Sequence, residues 1–414
     1  MSAYDSLLAS FPPERQEAFT ALFEKYSMTQ ADRLQFLKDS ADLELFQEKD
    51  LLSVLDMEKI DSRQAKRRAE ELMREERAYM RALRYTPTDY SSFNPPVIRR
   101  KKECIEEISS EGMKLWGKCP CPVDGEKTRC CRLTTLDAAM QCSFGCSYCS
   151  VQSFYSENRI KVVTDLERSL ESADLNGIWH IGTGQASDSL LTGDRYGTLS
   201  ALSAFAEKHP DIVIELKSKS GRTDVFDREY PANMIFTWSL NAEEMIKKEE
   251  HLTASLEERI RAAAAARDNG SPVGFHIHPM IWHKGWEEGY AHVVSLIEKN
   301  FSPSDICMIS FGTLTFTKAV LQHLRTHRTP SRVLEIPLEE AAGKYSYSLD
   351  IKREMFSKAY SFFSEEFKKE VFFYLCMEDP SLWKPCLGRE YASDSEFEAD
   401  MKKAYFRKIR NFVS

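Results

Sequence analysis

Hydrophobic positions follow two different rhythms along the chain, and the change between them divides it. Over residues 1–85 they recur at helical spacing. Phe19, Leu22 and Phe23 follow Pro12-Pro13-Glu14, and Leu34, Phe36 and Leu37 follow Thr29, which reads with Asp32 as an N-cap. A long, heavily charged helix is expected over residues 61–84. From about Arg132 onward, short apolar runs alternate with helical patterns. Strands are expected at 132–136, 177–182, 212–217, 234–240, 273–280, 306–311 and 371–376, and helices at 165–173, 198–208, 255–269, 286–300 and 318–326. The 255–269 helix carries Ala262 to Ala266 and stops at Asn269-Gly270, a good C-terminal signal. Such alternation predicts an α/β fold with a parallel sheet, curled into a partial or full barrel whose ligands sit at the C-terminal strand ends.

Residues 86–96, rich in proline and small polar residues, read as a linker and mark a domain boundary. The expected organisation is a helical N-terminal region (1–85), a lead-in (86–118), a barrel domain (119–390) and a helical tail (391–414). Neither an internal repeat nor a low-complexity tract is visible.

Composition narrows the class. With 42% hydrophobic and 29% charged residues, the 414-residue chain is ordinary for a soluble globular protein. No apolar run approaches the ~20 residues needed to span a bilayer, and the N-terminus has no export signal, so a cytoplasmic protein without membrane partners is expected. Eleven cysteines in that compartment suit metals better than disulfides. The net charge of −8 opposes an evenly basic, nucleic-acid-coating surface but leaves room for a local basic path. Arg99 to Lys102, and Lys402, Lys403, Arg407, Lys408 and Arg410 in the tail, are candidates for one. In the charged helix, Arg63, Arg67, Arg74, Arg77, Arg81 and Arg84 are interspersed with glutamates, which favours a solvated helix over a phosphate-binding stripe.

The densest chemistry lies in Cys142-Ser-Phe-Gly-Cys146-Ser-Tyr-Cys149. One tight loop offers three thiolates, whereas a cubane iron–sulfur cluster ordinarily takes four cysteines. The fourth iron would be open to a ligand that is not protein. A zinc knuckle would want a fourth ligand at paired spacing, and a disulfide framework would suit a short secreted chain. The layout resembles that of radical S-adenosylmethionine (SAM) enzymes, in which the open iron chelates the SAM amino and carboxylate groups and the reduced cluster cleaves SAM to a 5′-deoxyadenosyl radical. Tyr148, just before the third cysteine, is usual in that signature.

Polar groups recur at the predicted strand ends. The second strand runs into His180-Ile-Gly182-Thr-Gly184-Gln185-Ala-Ser187-Asp188, where glycines allow a ligand close to the backbone. Lys217 and Lys219 end the third strand, and Ser239 and Asn241 end the fourth. A lysine here could pair with a carboxylate; alternation leaves the choice between the two open, with Lys219 nearer the strand end. His276 and His278 share one face of the fifth strand and could bind a metal, although a polar cavity lining fits better where carboxylates are not close in sequence. Cys119, Cys121, Cys130 and Cys131 could hold a second metal, but their spacings are poor for tetrahedral zinc.

Taken together, these residues resemble the spore photoproduct lyase family of radical SAM enzymes. The match extends beyond the cysteine motif to Ser187-Asp188, Lys219, Ser239-Leu-Asn241, Glu250, Ser255-Leu-Glu-Glu-Arg259-Ile, Gly274-Phe-His-Ile-His-Pro-Met and Gly285-Trp286-Glu-Glu-Gly-Tyr290. Tyr374-Leu-Cys-Met-Glu378 with Trp383 looks like the ending of the subfamily that carries a Cys-Cys pair before the cluster motif. The likeness covers roughly Cys119 to Gly388. It implies a partial (β/α)6 TIM-type barrel preceded by the all-helical region, and a lyase that splits a thymine dimer in ultraviolet-damaged DNA. Cys142, Cys146 and Cys149 would bind a 4Fe–4S cluster. Gly182, Gly184, Ser187, Asp188, Lys219, Ser239 and Asn241 would contact SAM, Tyr148 would act as relay, and flavodoxin or ferredoxin would be the reductant.

Two positions depart from the family. Gln185 stands where it places a hydrogen-donating cysteine, and Ser150 where it has a tyrosine. Cys376, at the end of a predicted strand, could supply the missing thiol or could be a buried apolar residue. The competing readings keep the cluster and SAM but act on RNA, a peptide or a small molecule, or make the chain a non-enzymatic interaction protein.

Overall fold

The computed structural model describes residues 2–45, 49–55, 65–98, 104–119, 127–151, 159–327, 330–334, 338–341 and 344–413. The chain separates into two compact units. Met1–Pro96, Trp282–Lys284 and Thr315–Ser348 form one, and Val97–Ile281, Gly285–Leu314 and Leu349–Ser414 form the other. This division differs from the sequential blocks expected. The segment 315–348, including the helix Lys318–His327, groups with the N-terminal helices and not with the sheet.

In the first unit, the helices Ala3–Leu8, Pro13–Lys25, Gln30–Leu45, Leu51–Val54 and Ala65–Arg84 surround an aromatic centre. Phe19 stacks at 6.1 Å from Phe23, and both meet Phe36 edge-on. Pro13 opens its helix, where its missing N–H costs nothing. The Thr29 hydroxyl accepts the Asp32 N–H at 3.2 Å, so the expected cap forms. The lysine helix at 318 is tied in by Arg325, whose Nε and Nη2 each lie 2.6 Å from the Asp42 carboxylate. A three-stranded antiparallel ladder, with Lys344–Ser346 between Thr315–Phe316 and Glu339–Ala341, completes the unit.

The second unit is a mixed α/β fold whose sheet curls into a half-barrel. Its strands are numbered here β1 (Trp116–Lys118), β2 (Thr134–Leu136), β3 (His180–Thr183), β4 (Val213–Ser218), β5 (Met234–Leu240), β6 (Val273–Met280), β7 (Ile306–Thr313) and β8 (Phe372–Leu375). They lie side by side in chain order, with every neighbouring pair parallel except β1–β2. All seven expected strands are therefore in one sheet. β5 and β7 are buried at every position, as expected for strands covered on both faces. Crossover helices make that cover. Leu256–Asp268 starts at a capping box between Ser255 and Glu258 and packs on β5, its buried Ala262, Ala263 and Ala266 allowing close approach. The C-terminal helix Asp394–Val413 packs on β7 and β8 within this unit. Because β2 to β8 run the same way, their C-terminal ends form one rim, and loops that leave them converge there.

Candidate active site

The cysteine loop leaves the end of β2 and is fastened to the segment that follows β5. Gly145–Cys146 pairs antiparallel with Glu250–His251, and the Ser147 N–H donates to the Glu249 carbonyl at 2.8 Å while its hydroxyl meets the Glu249 carboxylate. On the other side, the Ser187 hydroxyl donates to the Gln141 carbonyl at 2.6 Å. Cys146 is buried, and Cys142 and Cys149 are half-buried.

One carboxylate organises the space behind the loop. Glu250 is 2% exposed; it forms ion pairs with Arg259 Nη2 at 2.6 Å and Lys219 Nζ at 3.2 Å and accepts from Asn241 Nδ2 at 3.1 Å and from the Tyr148 hydroxyl. Burial alone would raise its pKa; the charges of Arg259 and Lys219 outweigh that and hold it near about 2. Arg259 is itself fully buried, tied to the Ser239 carbonyl at 2.8 Å and the Thr253 hydroxyl at 2.7 Å. Lys219 Nζ also donates to the Tyr148 hydroxyl at 2.7 Å and lies 3.8 Å from Cys146 Sγ. Burial works against its charge, yet Cys146 and Glu250 push its pKa up, so it is a fixed cation. Burial keeps Tyr148 protonated well above the usual range and drives the Cys146 thiol up to about 12, with Lys219 opposing the latter.

These groups suit a cluster. One stretch of eight residues carries three thiols, and a half-buried ammonium sits beside one sulfur to favour the thiolate that a metal demands. Among the described residues no three His, Cys, Asp or Glu side chains draw close enough to hold a single ion.

The other expected SAM-contact residues divide into two kinds. Gly184 has φ +85°, and a Cβ there would fall 2.7 Å from both the Lys217 carbonyl and Ser189 Oγ, so the turn after β3 requires glycine. A Cβ on Gly182 would strike the Leu133 side chain at 2.5 Å. Asp188 accepts from Leu190 N, Ser218 Oγ and Lys219 N at 3.0, 2.8 and 2.6 Å, and thereby fixes the backbone that carries Lys219. Asn241 spends all four of its hydrogen-bonding positions. Nδ2 donates to Glu250 and the Pro279 carbonyl, and Oδ1 accepts from the Tyr290 hydroxyl at 2.8 Å and Ala242 N at 2.9 Å. Asp188 and Asn241 thus position the site from behind. Ser239 is buried with its carbonyl on Arg259. Of the two lysines on the third expected strand, Lys219 carries the ammonium that enters the site.

Inside the sheet, His276 does not pair with His278. It binds Glu215 of β4, with Nε2 2.7 Å from Oε1, and its Nδ1 meets Ser310 Oγ at 2.7 Å. His180 Nε2 holds the second Glu215 oxygen at 2.9 Å. Sequence reasoning missed this carboxylate, although a lone glutamate inside the apolar run Val213-Ile-Glu-Leu is a visible signal. His278 instead packs its ring against Gly312.

Cys376 is half-buried beyond the end of β8, and burial pushes its thiol up strongly. The charges that act on it include those of Cys119, Cys130 and Lys217, and Cys130 Sγ accepts from the Arg132 N–H at 3.4 Å. Cys121 lies outside the described residues, as do Arg99 to Lys102. In the tail, Lys408 is buried with Nζ on the Pro303 carbonyl, so that part of the expected basic path is structural. Among the described residues no helix is long and apolar enough to cross a membrane.

Comparison with known proteins places this geometry. The lyase of Bacillus subtilis (strain 168), a spore photoproduct lyase, is 31% identical over 137 residues, which are 30% of this chain and 40% of that protein. The spore photoproduct lyase of Geobacillus sp. (strain Y412MC61) is 25% identical over 196 residues, 47% of this chain and 52% of that one. The chain thus spans about half the length of these relatives or less. A mutant spore photoproduct lyase with bound AdoMet and dinucleoside spore photoproduct superposes with a TM-score of 0.52 at 20% identity, covering 66% of this chain and 82% of that one; the likeness shows a shared fold. The model of the family described as spore photoproduct lyase matches residues 135–370, more than half of the chain and all of the rim from β2 to the helix before β8. By that match, the chain belongs to the spore photoproduct lyase family.

Proposed function

We propose that this chain is a radical SAM lyase that repairs a thymine photoproduct in DNA. Cys142, Cys146 and Cys149 would hold a 4Fe–4S cluster, and the half-barrel is the partial (β/α)6 barrel of radical SAM enzymes, extended by β8. When bound, the cluster supplies one-electron reductive cleavage of SAM, with the electron coming from a flavodoxin- or ferredoxin-type donor. The observation that carries this reading is Lys219 Nζ, 3.8 Å from Cys146 Sγ and 3.2 Å from Glu250, at the parallel rim where the cysteine loop emerges.

The chain's own residues divide the labour. Lys219 supports the thiolate form of Cys146 and offers a cation to the SAM carboxylate. Gly182, Gly184, Ser187 and Ser239 line the approach for the nucleoside. Asp188, Asn241 and Glu250 fix Lys219 and Tyr148 in place. Tyr148, kept protonated by burial, can pass hydrogen without itself ionising. Cys376 returns hydrogen to the substrate in place of the thiol absent at Gln185; its support is its place at the C-terminal end of β8, on the same rim as the cluster loop.

A second reading rests on Gln185 and Ser150: the same machinery acts on a different substrate, such as RNA, a peptide or a small molecule. One assay separates the two. The chain is reconstituted anaerobically, reduced in the presence of SAM and given dinucleoside spore photoproduct. Release of thymine dinucleotide supports the lyase. Deoxyadenosine formation without repair supports the second reading.

A further inference from the structure

A cavity of about 780 Å³ lies wholly within the first unit, and neither the cysteine loop nor the sheet contributes to it. Arg77, Arg81 and Arg84, spaced four and three residues apart on one helix, line one wall. Lys38 from the helix Gln30–Leu45, with Lys318 and Arg325 from the helix Lys318–His327, lines another. Two of these six cations are committed: Arg325 to Asp42, and Arg84 to Glu339 at 2.7 Å. Lys38, Arg77, Arg81 and Lys318 have no ion-pair partner among the described residues. Lys38 pays for this, because burial and then the nearby charges of Arg325 and Lys318 depress its pKa.

The acids of the cavity do not balance these charges. Glu76 is 1% exposed, lines the cavity, and has a buried Oε2 without a hydrogen-bond partner among the described residues. Burial and the neighbouring Asp39 side chain raise its carboxyl to about 9, so Glu76 itself adds no negative charge to the cavity near neutrality. Repelling cations gathered in a hollow destabilise the free unit, and an anion in that hollow would relieve them. Arginine forks match phosphate oxygens. The volume exceeds what phosphate alone would fill, and Leu34, Met80, Leu321 and Tyr345 supply an apolar wall for a base and sugar.

We propose that this cavity binds a phosphate ester of nucleotide size. Two sources share that chemistry: a free nucleotide and the terminal phosphate of a nucleic-acid strand. The arginine face that the sequence suggested was merely solvated thereby acquires a ligand.

The test is calorimetric titration of the full chain with adenosine and thymidine 5′-monophosphates, the matching nucleosides, inorganic phosphate, and short oligothymidylate with and without a 5′-phosphate. Nucleotides should bind and nucleosides should not. Arg77→Glu with Arg81→Glu should weaken nucleotide binding at least about tenfold, and the milder Arg77→Gln with Arg81→Gln should weaken it in the same direction with the circular dichroism unchanged. Arg74→Glu, exposed on the same helix but outside the cavity, should leave affinity within about twofold. A tighter phosphorylated oligonucleotide assigns the strand end, and a tighter monophosphate assigns the free nucleotide; either sustains the site. Absence of binding by every phosphate ester, equal binding of nucleosides, inorganic phosphate matching the nucleotides, or an equal loss in Arg74→Glu would overturn it.

Discussion

Two buried carboxylates of the second unit, Glu250 in the short ladder with the cysteine loop and Glu215 in β4 of the large sheet, are held in opposite ways. At the rim, Glu250 is clasped by Arg259 and Lys219, cations that keep their charge at any physiological pH. In the interior, Glu215 is clasped by two imidazoles, His180 and His276, and among the described residues by no lysine or arginine. Burial would raise both carboxyls, and in both the partners win: about 2 for Glu250, and well below the ordinary value for Glu215. The difference lies in the partners. Burial lowers the pKa of His276, so at that side the anion is met by a neutral ring that donates to it. The rim instead assembles fixed charges of both signs beside the sulfur loop, where further anionic sulfur and an anionic ligand have to be accommodated. The interior is arranged for packing and the rim for chemistry.

The largest test of that contrast is Glu250→Gln. It leaves Arg259 and Lys219 uncompensated in a buried site and should cost about 3–5 kcal/mol in urea unfolding. A loss below about 1 kcal/mol would mean that the rim is not the charged knot described. Glu215→Gln is expected to cost less, about 1–3 kcal/mol, because an amide oxygen still accepts from one neutral imidazole. If the two variants lose equally, the distinction between cationic and imidazole partners fails.

A smaller effect follows from pH. His276 has a folded pKa below its unfolded value of about 6.5, so the unfolded chain takes up a proton that the folded chain resists. Its favourable contribution is complete above about pH 6.5 and declines as pH falls below that, with a slope of at most about 1.4 kcal/mol per pH unit. Glu250 does not share this window; its contribution is present above the unfolded carboxyl value of about 4.5 and is lost only as pH falls toward about 2. Unfolding measured from pH 5 to 8 should therefore keep its slope in Glu250→Gln and lose much of it in His276→Asn. An unchanged slope in His276→Asn would assign the effect elsewhere.

The contrast also explains what could be read from the sequence. The seven parallel strands were visible because burial on both faces writes continuous apolar runs such as Met234-Ile-Phe-Thr-Trp. The edge strand Trp116–Lys118 was not, being three residues long with a polar end. The helix at 318 was legible as a helix, but not as part of the N-terminal unit, since helical period says nothing about which core a helix joins. At the rim, three cysteines at tight spacing announce themselves. The Arg259–Glu250 pair does not, because its members are separated by nine residues and a charged residue in a helix usually faces water. Asn241 was legible as a polar strand-end residue; that its amide is wholly engaged is a fact of packing.

The most direct measurement is the electron paramagnetic resonance spectrum of the reduced, anaerobically reconstituted chain, recorded without and with SAM. An open iron held by Cys142, Cys146 and Cys149 predicts a 4Fe–4S signal that shifts when SAM is added. A chain that retains no iron, or whose signal SAM leaves unaltered, would contradict the account.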